Sequence, residues 1–222
     1  MLRYLLRRAV QALVVLVGAA ILVFLLLQLV PGDPVRSAMG TRFNAEVYEE
    51  LRAAAGLDRP LHEQLINYLT GAATGDFGVS FRNGESVFDL VVARMPATIS
   101  LAVAALVIAL LISFPLGIVS AMRRGTIVDH FARIGSQIGI SVPDFWLGIL
   151  LILLFTSTLD LLPPSGYTPL TEDPIDWLRH VILPALTVGL ISGSILTRFI
   201  RSATLESNDQ DYARTARAKG LH

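Results

Sequence analysis

The stretch from Ala9 to Gly32 carries no charged residue. No other feature constrains the fold as tightly, because a helix crossing a ~30 Å hydrocarbon core needs about 20 consecutive, mostly apolar residues. Met95 to Met122 is a second charge-free run, and Ile134 to Leu159 a third, interrupted only by Asp144. His180 to Thr197 is a fourth, shorter and richer in Gly, Ser and Thr. Four spanning helices are expected, hence an all-α polytopic membrane protein. Composition agrees: 53% of the residues are hydrophobic and 16% charged, against about 25% charged in soluble domains, which excludes disorder. Arg3, Arg7 and Arg8 precede the first run as they would in a signal peptide, but the apolar core of such a peptide spans only about 7–15 residues. The run is read as an uncleaved helix.

Basic residues favour the cytoplasmic side. Arg3, Arg7 and Arg8 flank the first helix, Arg123, Arg124 and Arg133 follow the second, and Arg198, Arg201, Arg214, Arg217 and Lys219 follow the fourth. The loop after the third carries Asp160, Glu172, Asp173 and Asp176 with one basic residue, Arg179. This pattern places the N-terminus inside, 31–95 outside, 122–133 inside, 160–179 outside and 200–222 inside.

The organisation that follows is an N-terminal transmembrane helix (1–30), an extracytoplasmic segment with short helices (31–95), a core of three transmembrane helices (96–200) and a cytoplasmic segment (201–222). Within 31–95, Asn44 to Ala55 has helical composition with Gly56 placed to stop it, and Leu61 to Leu69 forms a second short helix. Gly71 to Gly84 reads as a loop. This segment has too few large apolar residues to bury a core alone and is expected to pack on the membrane helices. Pro115, between Ser113 and Gly117, predicts a kink or end late in the second helix, and Pro143 interrupts the third.

Several chemistries are excluded. Lys+Arg and Asp+Glu both number 18, so the basic excess of a nucleic-acid binder is missing. With no cysteine, disulfides, iron–sulfur clusters and thiolate zinc sites are impossible. Lys219 is the sole lysine and belongs to no phosphate-binding loop, and His62-Glu63 meets Ile66 where a zinc-binding H-E-x-x-H needs histidine. No catalytic residue and no metal site is expected.

Three features carry candidate function. Asp144 is the one acid inside a span. It either lines a translocation path or caps the helix restarting after Pro143. Ala185, Gly189, Gly193 and Thr197 recur every fourth residue and invite close approach of another helix. Ser192 and Ser194 offer hydroxyls that could line the same path. The segment NDQDYARTARAKGLH begins with Asp209 and Asp211 and ends with Arg214, Arg217 and Lys219. It suits a short helix with Gly220 as its stop, either docked in a partner's groove or solvated.

Four stretches resemble the permease subunit of ABC importers of the dipeptide/oligopeptide/nickel family. They are LVPGDP (Leu29–Pro34), GDFGVSFRNGESVFDLVVARMPATISL (Gly75–Leu101), SVPDFWLGILLILLF with LPPSGY (Ser141–Phe155, Leu162–Tyr167), and HVILPALTVGL with DYARTARAKGL (His180–Leu190, Asp211–Leu221). The likeness runs over nearly the whole chain and is nearest to the first permease of a dipeptide system. It implies the type I permease fold, with about four of six spanning helices in a chain that stops at His222 within the family's EAA loop. Asp211, Tyr212, Arg214, Thr215, Ala216, Arg217, Ala218, Lys219 and Gly220 would form the helix coupling to the ATPase, with Arg214 and Thr215 replacing the Glu and first Ala of that loop. The implied partners are a second permease, two ABC ATPase subunits, an extracytoplasmic substrate-binding protein and the lipid bilayer of a bacterial cell membrane. ATP and magnesium would bind the ATPases and no cofactor this chain. Peptides are the implied cargo, with nickel chelates or glutathione-like molecules as the alternative. A self-contained secondary transporter would show more intramembrane ionisable residues and two matching halves.

Overall fold

The computed structural model describes residues 1–29, 31–40, 43–54, 56–211, 215 and 218–220. These form eight α-helices: α1 (Leu2–Leu29), α2 (Pro34–Met39), α3 (Ala45–Ala54), α4 (Leu61–Thr74), α5 (Val87–Met122), α6 (Ile127–Ser141), α7 (Asp144–Ile152) and α8 (Pro174–Asp209). A π-helical turn, Leu153–Thr158, continues α7. No strand occurs among the described residues; one isolated bridge joins Val79 and Ser86. α1, α5 and α8 are long and apolar enough to span a membrane, and α6 with α7 is a fourth candidate bent by 94°. The chain divides into two compact units, Met1–Arg94 and Met95–His222.

In the first unit α1 buries none of its residues. At its far end Phe24 stacks on Tyr68 of α4, with ring centroids 6.1 Å apart, and Gln28 donates to Gln64. The turn into α2 is built on Asp33. Its Oδ1 accepts from the Val35 and Arg36 backbone N–H groups, capping α2. Its Oδ2 accepts from the Tyr48 hydroxyl (2.7 Å) and Arg52 Nη1 (2.9 Å), which ties α2 to α3. Partial burial acts to raise the Asp33 pKa, but the Tyr48 and backbone hydrogen bonds and the Arg52 charge outweigh it and hold the carboxyl below the usual range.

Three sequence expectations shift here. α4 runs on to Thr74, so Gly71 is helical rather than the start of a loop. A methyl group on Gly71 would lie 2.8 Å from the Asp76 carbonyl oxygen, and Gly75 closes the helix in the left-handed region, so these glycines serve a tight C-terminal turn. α5 begins at Val87, inside the segment assigned to 31–95, and passes through Pro96 and Pro115 without ending. α8 extends the fourth apolar run at both ends, starting at Pro174 behind the capping carboxylate of Asp173.

The second unit is organised by close approach of α5 and α8. A methyl on Gly189 would stand 2.7 Å from Ile108 Cγ2 and 3.0 Å from the Ala105 carbonyl oxygen; one on Gly193 would stand 3.3 Å from Ala109 Cα. A methyl on Gly117 would meet Ile200 at 2.8 Å and the Thr197 carbonyl oxygen at 3.1 Å. Ala185, Gly189, Gly193 and Thr197 are all buried, and they face a matching set on α5: Ala105, Ala109, Ser113, Gly117 and Ala121. Numbers rise together on the two helices, so α5 and α8 run parallel. The chain between them must therefore cross back. α6 and α7 make that return, passing Gly139 against Ser194 and Gly148 against Thr187. The bent pair is one broken span, not a loop that dips and exits on the same side. Tyr167, beyond α7, reaches Ser100 near the other end of α5, with hydroxyls 3.3 Å apart.

Ser113 is fully buried and its hydroxyl has no hydrogen-bond partner among the described residues. It is present for its size. Ser113→Ala is accordingly expected to leave stability unchanged or raised, because it deletes a buried unsatisfied hydroxyl. Gly189→Leu or Gly193→Leu should each cost about 1–3 kcal/mol by overpacking. Leu190→Phe, off that stripe, should cost less. Thermal unfolding of the four variants in one detergent checks the ordering; equal midpoints for Gly193→Leu and wild type would sink it.

Candidate functional site

Two places in the second unit gather functional side chains. The first is a cavity of about 430 Å³ between α7, α8 and the loop that joins them, bordered by Asp144, Gly148, Ser165, Gly166, His180 and Thr187. The chain opens it by breaking at Val142–Pro143. The residue before a proline is held extended, and Val142 takes φ −80°, ψ 124°. Asp144 then begins α7. It is exposed, and its Oδ1 accepts from the Phe145 backbone N–H at 3.0 Å. Asp144 thus sits on the first turn of the restarted helix, without a side-chain cap bond to its later N–H groups, and borders the cavity. His180 faces the cavity from α8. Its Nδ1 lies 2.9 Å from the Asp176 carbonyl oxygen and 3.5 Å from Asp176 Oδ2. Its opposite edge rests on Gly166, where a methyl group would meet Nε2 at 2.9 Å and where φ is +121°. A carboxylate and an imidazole on one partly apolar wall can bind a cation or an amide.

Ser192 and Ser194 do not join Asp144. Ser194 donates to the Leu190 carbonyl and packs on Gly139, where a methyl would come within 2.0 Å of its Oγ. Its hydroxyl is used inside the α6–α8 contact. Ser192 is half-buried one turn away from the cavity lining.

The second place is the other end of α8. Asp129, on the first turn of α6, is buried. Its Oδ1 accepts from Ser120 Oγ (2.6 Å) and Arg201 Nε (2.8 Å), and its Oδ2 from Arg201 Nη2 (2.9 Å) and the Gly125 backbone N–H (3.0 Å). A two-pronged guanidinium–carboxylate pair with every lone pair engaged is the geometry in which a buried ion pair can be tolerated. It clamps the ends of α5, α6 and α8 together. Sequence reading singled out neither Asp129 nor Ser120, and took Arg201 only as a marker of orientation. One signal was available: Arg201 stands four residues beyond Thr197, on the stripe of Ala185, Gly189, Gly193 and Thr197.

Past this clamp α8 runs to Asp209, and Gln210 leaves the helix with ψ 153°. Of the proposed coupling residues, Tyr212, Arg214, Ala216 and Arg217 lie outside the described residues. Thr215 Oγ1 donates to the Asp211 carbonyl (2.8 Å), the Lys219 N–H donates to the Thr215 carbonyl (3.2 Å), and Gly220 has φ +78°. Asp211, Thr215 and Ala218 are helical.

Two family models match the chain: the binding-protein-dependent transport system inner membrane component over residues 113–222, and the N-terminal part of a binding-protein-dependent transport system membrane component over 1–102. The dipeptide transport system permease protein DppB of Escherichia coli strain K12 is 36% identical over 245 aligned residues, covering 100% of this chain and 72% of that protein. The "Probable D,D-dipeptide transport system permease protein DdpB" of the same strain is 40% identical over 228, covering 93% and 67%. The chain belongs to this family of integral membrane permeases of ABC importers.

Removing one member of the clamp leaves the other charge buried and unpaired. Asp129→Ala and Arg201→Ala should each destabilise by roughly 3–5 kcal/mol, and the double change Asp129→Leu/Arg201→Met should recover much of that loss. The check is thermal unfolding of the detergent-purified protein. Single variants as stable as wild type would refute the clamp.

Proposed function

We propose that this permease forms half of a translocation path for di- or oligopeptides, delivered by an extracytoplasmic binding protein and driven by ATPases on separate subunits. The observation that carries this reading is the likeness to permeases named for dipeptide transport, over 93% and 100% of this chain. The cavity walled by Asp144 and His180 supports a polar, zwitterionic cargo. A carboxylate suits an ammonium group, and the free Nε2 of His180, whose Nδ1 proton goes to the Asp176 carbonyl oxygen, suits a peptide N–H. ATP and magnesium belong to the ATPase subunits, and a second permease supplies the other half of the path.

The distribution of arginine supports an N-terminus in the cytoplasm of a bacterial cell, with 31–95 outside. The parallel course of α5 and α8 fits that topology, since both then run from outside to inside. In this reading residues 31–95 meet the binding protein, and Asp211–Gly220 sits in a groove of the ATPase. The path from ATP to cargo runs from that segment through α8 and the Asp129–Arg201 clamp to the outer cavity.

Gly220 holds a backbone conformation that L-residues rarely adopt. Gly220→Asp, or deletion of Asp211–Gly220, is expected to abolish peptide uptake in the reconstituted transporter while membrane insertion persists. Uptake at the normal rate would overturn the coupling role. The absence of native cysteine allows a clean topology test. Single cysteines at Asn44 and Asn83, both exposed, should react with an impermeant maleimide from outside intact cells; labelling only from the cytoplasmic face would invert the orientation.

A further inference from the structure

The transport reading leaves one concentrated charge without a role. Between α6 and α8 lies a cavity of about 440 Å³, lined by Arg133, Arg198, Arg201, His130, Gln137 and Ser202, with no Asp or Glu among the described residues that line it. Arg201 gives Nε and Nη2 to Asp129, and Nη1 takes no part in that pair. Arg133 and Arg198 are exposed and form no ion pair among the described residues. Their position on the helices is informative. Arg198 is the first charge on α8 after Arg179, and Arg133 is the last charge on α6 before the uncharged stretch leading to Pro143. Both mark where an uncharged helix meets a polar layer. Ile134, the next residue on α6, also lines the cavity, and Ile138 and Ile195, about one turn further along from Arg133 and Arg198, are exposed.

The geometry points to a site for the phosphate of an anionic phospholipid, held between Arg133 and Arg198 above Arg201, with its acyl chains along Ile134, Ile138 and Ile195. Guanidinium groups match phosphate oxygens in two-pronged fashion. Basic pockets between membrane helices at headgroup depth suit anionic lipid. A free phosphate would satisfy the arginines but would leave the isoleucines without a partner. The site requires that the chain span a membrane; it does not depend on what is transported. A bound lipid would brace α6 against α8 at the clamp.

The test uses the whole transporter with its partner subunits, purified in mild detergent and exchanged into mixed micelles of phosphatidylcholine and phosphatidylglycerol. Native mass spectrometry counts the lipid retained. Phosphatidylglycerol should be kept over phosphatidylcholine. Arg133→Gln and Arg198→Gln should each reduce its retention about fivefold, and the double variant about twenty-five-fold. Both arginines are exposed, so the variants should fold, and Arg124→Gln, outside the cavity, should retain lipid like wild type. Undiminished retention in the double variant overturns the proposal. So does displacement of phosphatidylglycerol by an equal concentration of inorganic phosphate, which would mark a site for the free anion. Loss of the ATPase subunits with lipid retention unchanged overturns it as well, because the cavity would then be a protein-docking face.

Discussion

Backbone-to-backbone contact between α5 and α8 is the constraint from which the second unit follows. Inside a bilayer the hydrophobic effect does little to drive one apolar helix onto another, since lipid is as apolar as leucine; packing must do the work. Gly189, Gly193 and Gly117 let each helix lie against the other's main chain. Because the two run parallel, the intervening chain must recross, and it does so through a helix broken at Pro143. That break opens the cavity and puts Asp144 at its mouth. The cavity at the break is therefore a by-product of how the core packs, and a bulky side chain at Gly193 would disturb it without touching it.

The end of α8 that carries Arg201 obeys different physics. There a carboxylate and a guanidinium are withdrawn from water, which costs several kcal/mol per ion unless every hydrogen-bonding position is filled. Ser120, Gly125 and Arg201 fill those of Asp129. Three helices converge on one carboxylate, so their ends cannot shift independently. The polypeptide leading to Asp211 leaves from that junction.

Much of the fold was legible in the residues. Charge-free runs locate spanning helices because the cost of charge in hydrocarbon is large, and Pro143 marks the break in the third because proline removes a backbone donor. The ends of the helices were less legible. α8 begins at Pro174 because Asp173 caps it, and α4 persists through Gly71 because Asp76 approaches its backbone; neither contact is visible as hydropathy. The stripe on α8 could be read from its four-residue spacing, but its mate on α5 mixes alanine, serine and glycine within a uniformly apolar helix, where small residues carry little contrast. The pairing of Asp129 with Arg201 joins residues distant in sequence and could not be read from either alone. Ser194 looked like a lining hydroxyl on composition; its neighbour Gly139 turns it into a packing residue.

The parallel course of α5 and α8 also has a consequence in time. A ribosome delivers α5 to the membrane long before α8 exists, and α8 cannot reach its mate until the broken return has crossed. Throughout that interval the grooved face of α5, with the buried hydroxyl of Ser113, has only lipid or the insertion machinery for company. The core is thus assembled late and all at once. A nascent chain stalled anywhere before Ala185 would hold its spans in the membrane and yet lack the stripe that fills the interior, which makes α8 the step at which an inserted polypeptide becomes a folded one.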